Sequence, residues 1–398
     1  MSQQSWRSWV WSAPLVVACA GSPGAGAEEG EASTGAATGD APTTTGDAPT
    51  TSGEASGSSS EAGETEGPSP VAEFGRTFTV IGTADDGLNA VRDLQFNPMA
   101  PEQLWTFNML SHGTVIYFDP GTPQQTSEER IDAYGQHFMA YVSSAAFGDQ
   151  NNFATCNESR NEWNVGPQAA DDFMGPALWP ADLEVFAKVG QEFPPGQMEG
   201  SHLDMLHQSP LCMGIAHEVD NVFWAFDGKS EHVVRYDFQA DHGPGGSHHG
   251  DGIIRRYLGT DVTRVANIPG HMEVDHATGL LYVADTGGGR VMRLDTATGT
   301  NMGALPGDKD GGNYEKVEGA DWQVFAEGLG QPSGLALHAG RVFVTDHKTA
   351  EIVAFDLDGA EIDRLKTPAK RLMGVTVGPD GKIWYADAGG NQIVRVDP

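Results

Sequence analysis

The chain has 398 residues, of which 55 are acidic and 23 are lysine or arginine, and its formal net charge is −32. This charge argues against nucleic acid and anionic membrane surfaces as partners, because both are themselves negative. The sequence has no nucleophile elbow, P-loop, dinucleotide fingerprint or HExxH motif, so serine hydrolases, kinases and dehydrogenases have no support in it.

Residues 1–19 predict a signal peptide of the lipoprotein type. Arg7 precedes an apolar stretch, Trp9 to Ala18, that is too short to span a bilayer. The stretch ends in Val-Val-Ala-Cys19, which resembles the bacterial lipobox, and the resemblance implies that Cys19 is acylated and becomes the mature N-terminus. The alternative is a plain signal peptide with a chance cysteine. Ala20, rather than an aspartate, follows Cys19, which favours the outer membrane or the cell surface.

Residues 20–72 predict a disordered linker. They consist mainly of Gly, Ser, Thr, Ala, Pro and acidic residues, without any lysine or arginine. Such a segment cannot bury enough apolar surface to offset the entropy lost on ordering it. We therefore expect a tether that holds one folded domain, residues 73–398, away from the membrane.

A phrase that recurs along residues 73–398 predicts the fold. Each clear copy holds three short alternating apolar runs separated by turn residues, a pattern typical of antiparallel strands. Copies begin at Met213, Pro269, Pro332 and Met373 and, in looser form, at Arg92 and Met139. A unit repeated every ~40–60 residues predicts a propeller. The copies predict an all-β, six-bladed β-propeller whose inner strands begin near Val91, Phe138, Met213, His271, Gly334 and Gly374.

Two further features are expected to close this fold. The run Arg76–Ile81 follows the linker as an isolated strand and is predicted to supply the outer strand of blade six, because closure removes free sheet edges. With Cys19 assigned to lipid, Cys156 and Cys212 remain. An exported protein lies in an oxidising compartment, so we expect these two cysteines to form a disulfide between blades two and three.

One copy resembles a known repeat. The phrase YVADTGGGRV from Tyr282 is similar to the strand–turn–strand phrase of the NHL-repeat family, with more distant echoes at Val344 and Tyr385. The resemblance covers residues 210–398 well and the earlier blades poorly. It implies the propeller fold but no particular activity, since NHL propellers include enzymes, binding platforms and modules of larger proteins.

A first metal-site hypothesis concerns the central tunnel. His271 stands at the start of an inner strand, where most other copies have glycine or alanine, and Pro-Gly-His271 resembles strand starts of the peptidylamidoglycolate lyase propellers. The resemblance implies a tunnel zinc held by histidines, for which His271, His137 and His207 are the candidates. Arg92 or Tyr141 would supply charge or a proton. The alternative is a polar tunnel lining that holds water.

A second metal-site hypothesis concerns the glycine-rich loop 240–252 of blade three. Its imidazoles and carboxylates suit zinc or copper better than calcium. Propeller topology puts this loop on the face opposite His271, so the two groups are expected to form separate sites. The candidate ligands are His217, Asp241, His242, His248, His249 and Asp251. The alternative is a solvated surface loop.

Two other patterns lead to structural expectations. Residues 158–208 are expected to connect blades two and three over the tunnel mouth, with a short helix near 181–190. An acid ends the second strand of several blades, and we expect it to accept hydrogen bonds from turn backbone rather than to be catalytic. These acids are Asp227, Asp285, Asp346 and Asp387.

The sequence thus predicts a monomeric, surface-tethered NHL-type propeller that binds a small-molecule or protein ligand, with a divalent metal as an accessory. Nucleic acid is not an expected partner, and the membrane is contacted only through the lipid anchor. Two alternatives stay open: a metal-dependent lyase or hydrolase that uses the tunnel, and a metal-sequestering lipoprotein that uses the loop.

Overall fold

A computed structural model describes residues 75–161, 171–192, 198–246 and 248–398. The predicted signal peptide and linker lie outside the described residues. The described chain is nearly all β-strand, with two short helical turns, a 3-10 turn at Ala84–Asp86 and a helix, α1, at Gly135–Phe138. Its strands form six sheets, which are the blades of a propeller.

Strand bounds follow the chain from blade to blade. The first strand is β1 (Thr77–Gly82). Blade one holds β2 (Val91–Asn97), β3 (Ala100–Asn108), β4 (Thr114–Phe118) and β5 (Thr126–Arg130). Blade two holds β6 (Val142–Phe147), β7 (Asn152–Asn157), β8 (Ala177–Pro180) and β9 (Asp204–Met205). Blade three holds β10 (Gly214–Val219), β11 (Val222–Asp227), β12 (His232–Asp237) and β13 (Ile253–Tyr257).

Blade four begins with β14 (Met272–Asp275), β15 (Leu280–Asp285) and β16 (Arg290–Asp295). The chain then adds β17 (Thr300–Ala304) and β18 (Asn313–Glu318) to blade three, where β18 pairs in parallel with β13, before β19 (Trp322–Ala326) completes blade four. Blade five holds β20 (Pro332–His338), β21 (Arg341–Asp346), β22 (Glu351–Asp356) and β23 (Glu361–Lys366). Blade six holds β24 (Leu372–Val377), β25 (Ile383–Asp387) and β26 (Gln392–Asp397).

The ring closes as the sequence predicts. β1 pairs antiparallel with β26, with Thr77 opposite Asp397 and Val80 opposite Val394, so the first strand is the outer strand of blade six. The inner strands β2, β6, β10, β14, β20 and β24 contact one another in that order, and β24 contacts β2. This closure leaves no blade without a neighbour on either side.

The apolar core lies between the blades. The described residues form six apolar clusters, and each joins two neighbouring blades around the full ring. In blade four, for example, Leu281 and Val283 of β15 pack against Met213 and Phe226 of blade three. Strand residues alternate between the two surfaces of a sheet, so each central strand contributes side chains to both adjoining clusters.

Covalent and polar links confirm two other predictions. Cys156 and Cys212 form a disulfide between β7 and the connection that leads into blade three. The acids that end the second strands accept N–H groups of the turn that follows, since Asp346 accepts from Lys348 and Asp387 accepts from Gly389. They also accept from the connection that enters the blade, Asp346 from Gly330 and Asp387 from Arg371. The donors include residues of the connection from the preceding blade, so these acids tie each blade to its neighbour.

The expectations for blade two are wrong in two respects. Its inner strand begins at Val142 rather than near Phe138, because Gly135–Phe138 forms α1. Residues 158–208 are not a single connection over the tunnel mouth, since they contain β8 and β9, the two outer strands of this blade. Trp179 and Phe186 accordingly lie in the core between blades one and two. Residues 181–190 form a series of turns in place of the expected helix.

Candidate functional site

Two cavities share His137, which lies in the connection between blades one and two. The larger cavity has a volume of about 430 Å³ and the smaller about 180 Å³. Both lie at blade two and its junctions with blades one and three. The side chain of His137 comes from α1, in the connection between blades one and two. We treat the pair of cavities as the candidate functional site.

The larger cavity is lined mainly by uncharged polar side chains. Its walls come from the loop after β3, the connection that holds α1, and the residues after β7. The lining residues are His112, Gln136, His137, Ala140, Tyr141, Ser159, Arg160 and Met174. The single cation among them, Arg160, is already paired with Asp172 at 2.7 Å.

Backbone geometry places two aromatic rings at the larger cavity. His112 and Tyr141 both have left-handed backbone angles, with φ of 57° and 56°, which turn their side chains away from the usual strand direction. Their ring centroids are 5.6 Å apart in an edge-to-face arrangement. Tyr141 is 37 % exposed, and burial lowers the pKa of His112, so that imidazole is neutral at pH 7.

The larger cavity also adjoins unsatisfied polar atoms. His112 Nδ1 and Ser159 Oγ are buried and have no hydrogen-bond partner among the described residues. Buried polar groups in native proteins are nearly always hydrogen-bonded, so two such atoms beside one cavity call for a partner.

The smaller cavity contains four histidines. Its lining residues are Tyr134, His137, Phe138, Phe173, Glu199, His202, His207 and His249. His202 stacks on Phe138 with ring centroids 3.8 Å apart, and His207 stacks on Phe173 at 3.7 Å. These contacts fix the planes of both imidazoles.

Two of these histidines are oriented by buried carboxylates. His207 Nδ1 lies 2.6 Å from Asp310 Oδ1, and His249 Nδ1 lies 2.5 Å from Asp204 Oδ1. The Asp310 carboxylate is 1 % exposed and the Asp204 carboxylate is fully buried. Because each Nδ1 faces an acid, each Nε2 is left to face other groups.

Protonation differs across this cluster. Burial lowers the pKa of His137 to about 4 and that of His202 to about 3, so both are neutral near pH 7. Burial also lowers the pKa of His207, although Asp310 opposes this. For His249, burial is outweighed by the hydrogen bond and charge of Asp204, and the pKa is raised.

The three histidines of the tunnel hypothesis do not lie together. His271 lies at the axis, where its Nε2 is 3.0 Å from the Ser143 carbonyl oxygen and its Nδ1 is 3.6 Å from Asp93 Oδ1. It lines neither cavity, whereas His137 and His207 line the smaller one.

The two candidate catalytic residues also have different places. Arg92 is fully buried in an ion pair with Glu158 at 2.8 Å, and it lines neither cavity. Tyr141 lines the larger cavity. Arg92 is therefore placed to hold the fold together, and only Tyr141 is placed to meet a ligand in either cavity.

The loop candidates are divided as well. His242, His248 and Asp251 come together, with one ligand atom from each lying within 4.8 Å of the others. Asp241 caps its own loop by accepting from the Gly243 N–H at 2.6 Å. His217 is held at the turn after β10 by the Asp220 carbonyl oxygen at 3.0 Å.

His249 leaves the loop cluster and reaches blade two. The loop crosses the outer edge of that blade, where the Gly245 N–H donates to the His202 carbonyl oxygen at 2.7 Å. The rings of His249 and His207 then lie 5.3 Å apart. The expectation that tunnel and loop candidates stay on opposite faces is therefore wrong for His207 and His249.

Sequence reasoning missed His112 and Asp310. Asp310 is 103 residues from His207, in the segment between β17 and β18, and no local motif connects them.

Among the described residues, no helix combines the length and apolar character needed to cross a membrane. No protein-family model matches the chain, and no curated protein matches its sequence. Membership of the NHL-repeat family therefore stays a prediction.

Solved structures do resemble the chain. An auxiliary nutrient binding protein from Bacteroides thetaiotaomicron is 10 % identical over 77 % of this chain and 68 % of that chain, with a TM-score of 0.51. A protein with the same description from Bacteroides ovatus is 9 % identical over 82 % of this chain and 77 % of that chain, also with a TM-score of 0.51. Likeness at such low identity establishes the architecture alone, and the chain is a six-bladed β-propeller.

Proposed function

We propose that this protein is an exported, surface-tethered propeller that binds a small, uncharged, polar molecule, of mono- or disaccharide size, in the larger cavity. The observation that carries the proposal is the cavity itself, about 430 Å³ in volume and lined mainly by neutral polar side chains. A concave site of this size suits a small molecule better than a protein surface.

The chemistry of the lining supports an uncharged ligand. Gln136, Ser159 and neutral His112 offer donors and acceptors without net charge. The Tyr141 ring presents a flat apolar face with a polar end, which matches a molecule that has both C–H and O–H groups. The net charge of −32 disfavours an anion.

Export and tethering form part of the same proposal. The Cys156–Cys212 disulfide supports an oxidising compartment. Lipidation of Cys19 and a spacer formed by residues 20–72 would hold an NHL-type propeller at the cell surface. The two Bacteroides proteins that share the fold are described as nutrient binding proteins, which agrees with a role in capturing a nutrient.

Titration of the purified protein with maltose, cellobiose and their monosaccharides, followed by calorimetry, tests the ligand proposal. Tyr141→Ala and His112→Ala are expected to weaken binding of the sugar that binds by at least tenfold. His276→Ala is the control, because His276 is an exposed histidine in blade four. If no sugar binds, or if binding survives both cavity variants, the proposal is wrong.

A second candidate function is metal sequestration by the loop. It is favoured by His242, His248 and Asp251, whose ligand atoms lie within 4.8 Å of one another. Such a donor set suits zinc or copper. Deletion of residues 241–251 is expected to remove bound metal, and retention of a full equivalent after the deletion would dispose of this candidate.

The tunnel lyase is less well supported by the geometry. Catalytic zinc needs three protein ligands and an open position. Of the three predicted ligands, only His271 lies at the axis, and it is in contact with Asp93 and the Ser143 carbonyl oxygen.

A further inference from the structure

The smaller cavity brings together histidines that belong to different blades. His207 follows β9, the outer strand of blade two, and His249 precedes β13, the fourth strand of blade three. We propose that this cavity binds a divalent transition metal ion, zinc by its ligand chemistry, through Nε2 of His207 and His249, which line the cavity together with His137. This site is distinct from the loop cluster, and it adjoins the sugar site proposed above through His137, which lines both cavities.

The orientation of the His207 and His249 imidazoles is that of metal ligands. Metal-binding histidines almost always direct their second nitrogen to a carboxylate, a carbonyl or water, which fixes the ring and raises its basicity. Both rings have this partner, Asp310 at 2.6 Å from His207 and Asp204 at 2.5 Å from His249. In each case the partner is on Nδ1, which leaves Nε2 as the ligand atom.

The distance between the His207 and His249 rings also fits two ligands of one zinc ion. With Zn–N bonds of about 2.0–2.1 Å, each ring centroid lies about 3.2 Å from the metal, and a tetrahedral angle puts two such centroids about 5 Å apart. The rings of His207 and His249 have centroids 5.3 Å apart. The pair is therefore spaced as two ligands of one ion would be.

The two buried carboxylates next to these histidines also favour a bound cation. Asp204 is fully buried, and its Oδ2 has no hydrogen-bond partner among the described residues. Asp310 lies on the other side of the same histidine pair and is almost as deeply buried. Two buried carboxylates are stabilised by a cation between them, and a bound dication held by the two imidazoles would provide it.

The route of the loop gives the site a structural role as well. The described part of this loop, residues 240–246 and 248–252, reaches blade two, where backbone hydrogen bonds join Gly245 to His202 and Glu199 to Gly245. A metal at His207 and His249 would join this loop to blade two.

The test is zinc titration of the full, tag-free protein by calorimetry, with metal content measured after dialysis. His207→Ala and His249→Ala are each expected to weaken zinc binding at this site by at least tenfold. Asp310→Asn keeps the shape of the side chain and is expected to weaken binding by about 10–100-fold, as loss of such a partner usually does. The Co²⁺-loaded protein is expected to show a visible absorption band that His207→Ala abolishes.

The matched controls lie in the same loop and at the axis. His248→Ala alters the loop cluster but not the cavity, and His271→Ala alters the axis. Both are expected to leave this zinc equivalent unchanged. Circular dichroism identifies any variant that fails to fold, and Asp204→Asn then serves in its place. Zinc that is lost from His248→Ala but retained by His207→Ala and His249→Ala would overturn the proposal, as would a protein that binds no zinc at micromolar concentration. Neither result bears on sugar binding, which depends on Tyr141 and His112.

Discussion

A buried ion pair offers a quantitative test of how this propeller is held together. Arg92 and Glu158 lie 2.8 Å apart with side chains that are 0 % and 4 % exposed. Glu158 also pairs with Arg264 and accepts the Asn267 N–H at 3.0 Å. One carboxylate is therefore shared by two guanidinium groups, and neither arginine has a second carboxylate partner among the described residues.

This arrangement predicts unequal effects for the two partners. Glu158→Gln leaves the charge of Arg92 buried, with Asn267 Oδ1 at 3.5 Å as its remaining side-chain contact, and is expected to lower the free energy of unfolding by about 3–5 kcal/mol. Arg92→Met leaves Glu158 with Arg264 and the Asn267 N–H. We expect the loss of stability in this variant to be smaller, about 1.5–3 kcal/mol, which is the range for a hydrogen bond to a charged group.

Urea unfolding followed by tryptophan fluorescence measures both effects. The double variant Arg92→Met/Glu158→Gln is expected to be more stable than Glu158→Gln alone, because it no longer buries the Arg92 cation without a carboxylate partner. Glu361→Gln breaks a surface pair with Arg364 and is the control, with an expected effect below about 1 kcal/mol. A Glu158→Gln variant that is no more destabilised than Glu361→Gln, or less destabilised than Arg92→Met, would show that Glu158 does not compensate a buried charge on Arg92.

Three further predictions concern the scaffold. The Cys156–Cys212 disulfide closes a loop with a sequence separation of 56, so its reduction is expected to remove about 4 kcal/mol of stability; equal urea midpoints with and without dithiothreitol would contradict this. Asp346→Ala removes the acceptor of four backbone N–H groups and is expected to lower the free energy of unfolding by ~3 kcal/mol or more, against less than about 0.5 kcal/mol for the exposed Asp358→Ala. Burial and the charge of Asp93 raise the pKa of Glu273 from 4.5 to about 8, so this carboxyl destabilises the fold increasingly as the pH rises between those values. Glu273→Gln is therefore expected to stabilise the protein at pH 8 and to have little effect at pH 4, and an equal effect at both pH values would contradict the cause.

The blades were predictable because the information that forms them is local. Each clear repeat carries its own alternation of apolar and polar residues and its own turns, as in Leu280–Asp285 followed by Arg290–Asp295. Blade two is the exception, since its outer strands are only four and two residues long and lie within a long segment that lacks the repeated sequence pattern. Strands so short show no clear alternation of apolar and polar residues, so the sequence does not distinguish them from a connection.

The candidate site was predictable only as a set of residue types. His137, His207 and His249 were all named from the sequence, but in two separate groups that the structure recombines. The error lay in assuming that a loop stays on the face where its strands end. Backbone hydrogen bonds from Gly245 and contacts with Asp204 hold this loop across the edge of blade two.

The sequence by itself determined the number of blades, the strand that closes the ring and the pair of cysteines that bond. The number of blades follows from the repeated sequence pattern, the closing strand from its position in the chain, and the cysteine pair from the count of cysteines. The tertiary structure alone decided that Arg92 is buried in an ion pair, that His271 is separated from His137 and His207, and that Asp310 supports His207 from 103 residues away. Those outcomes depend on distances between blades and on the path of loops, which are set when the ring packs and leave no pattern along the chain.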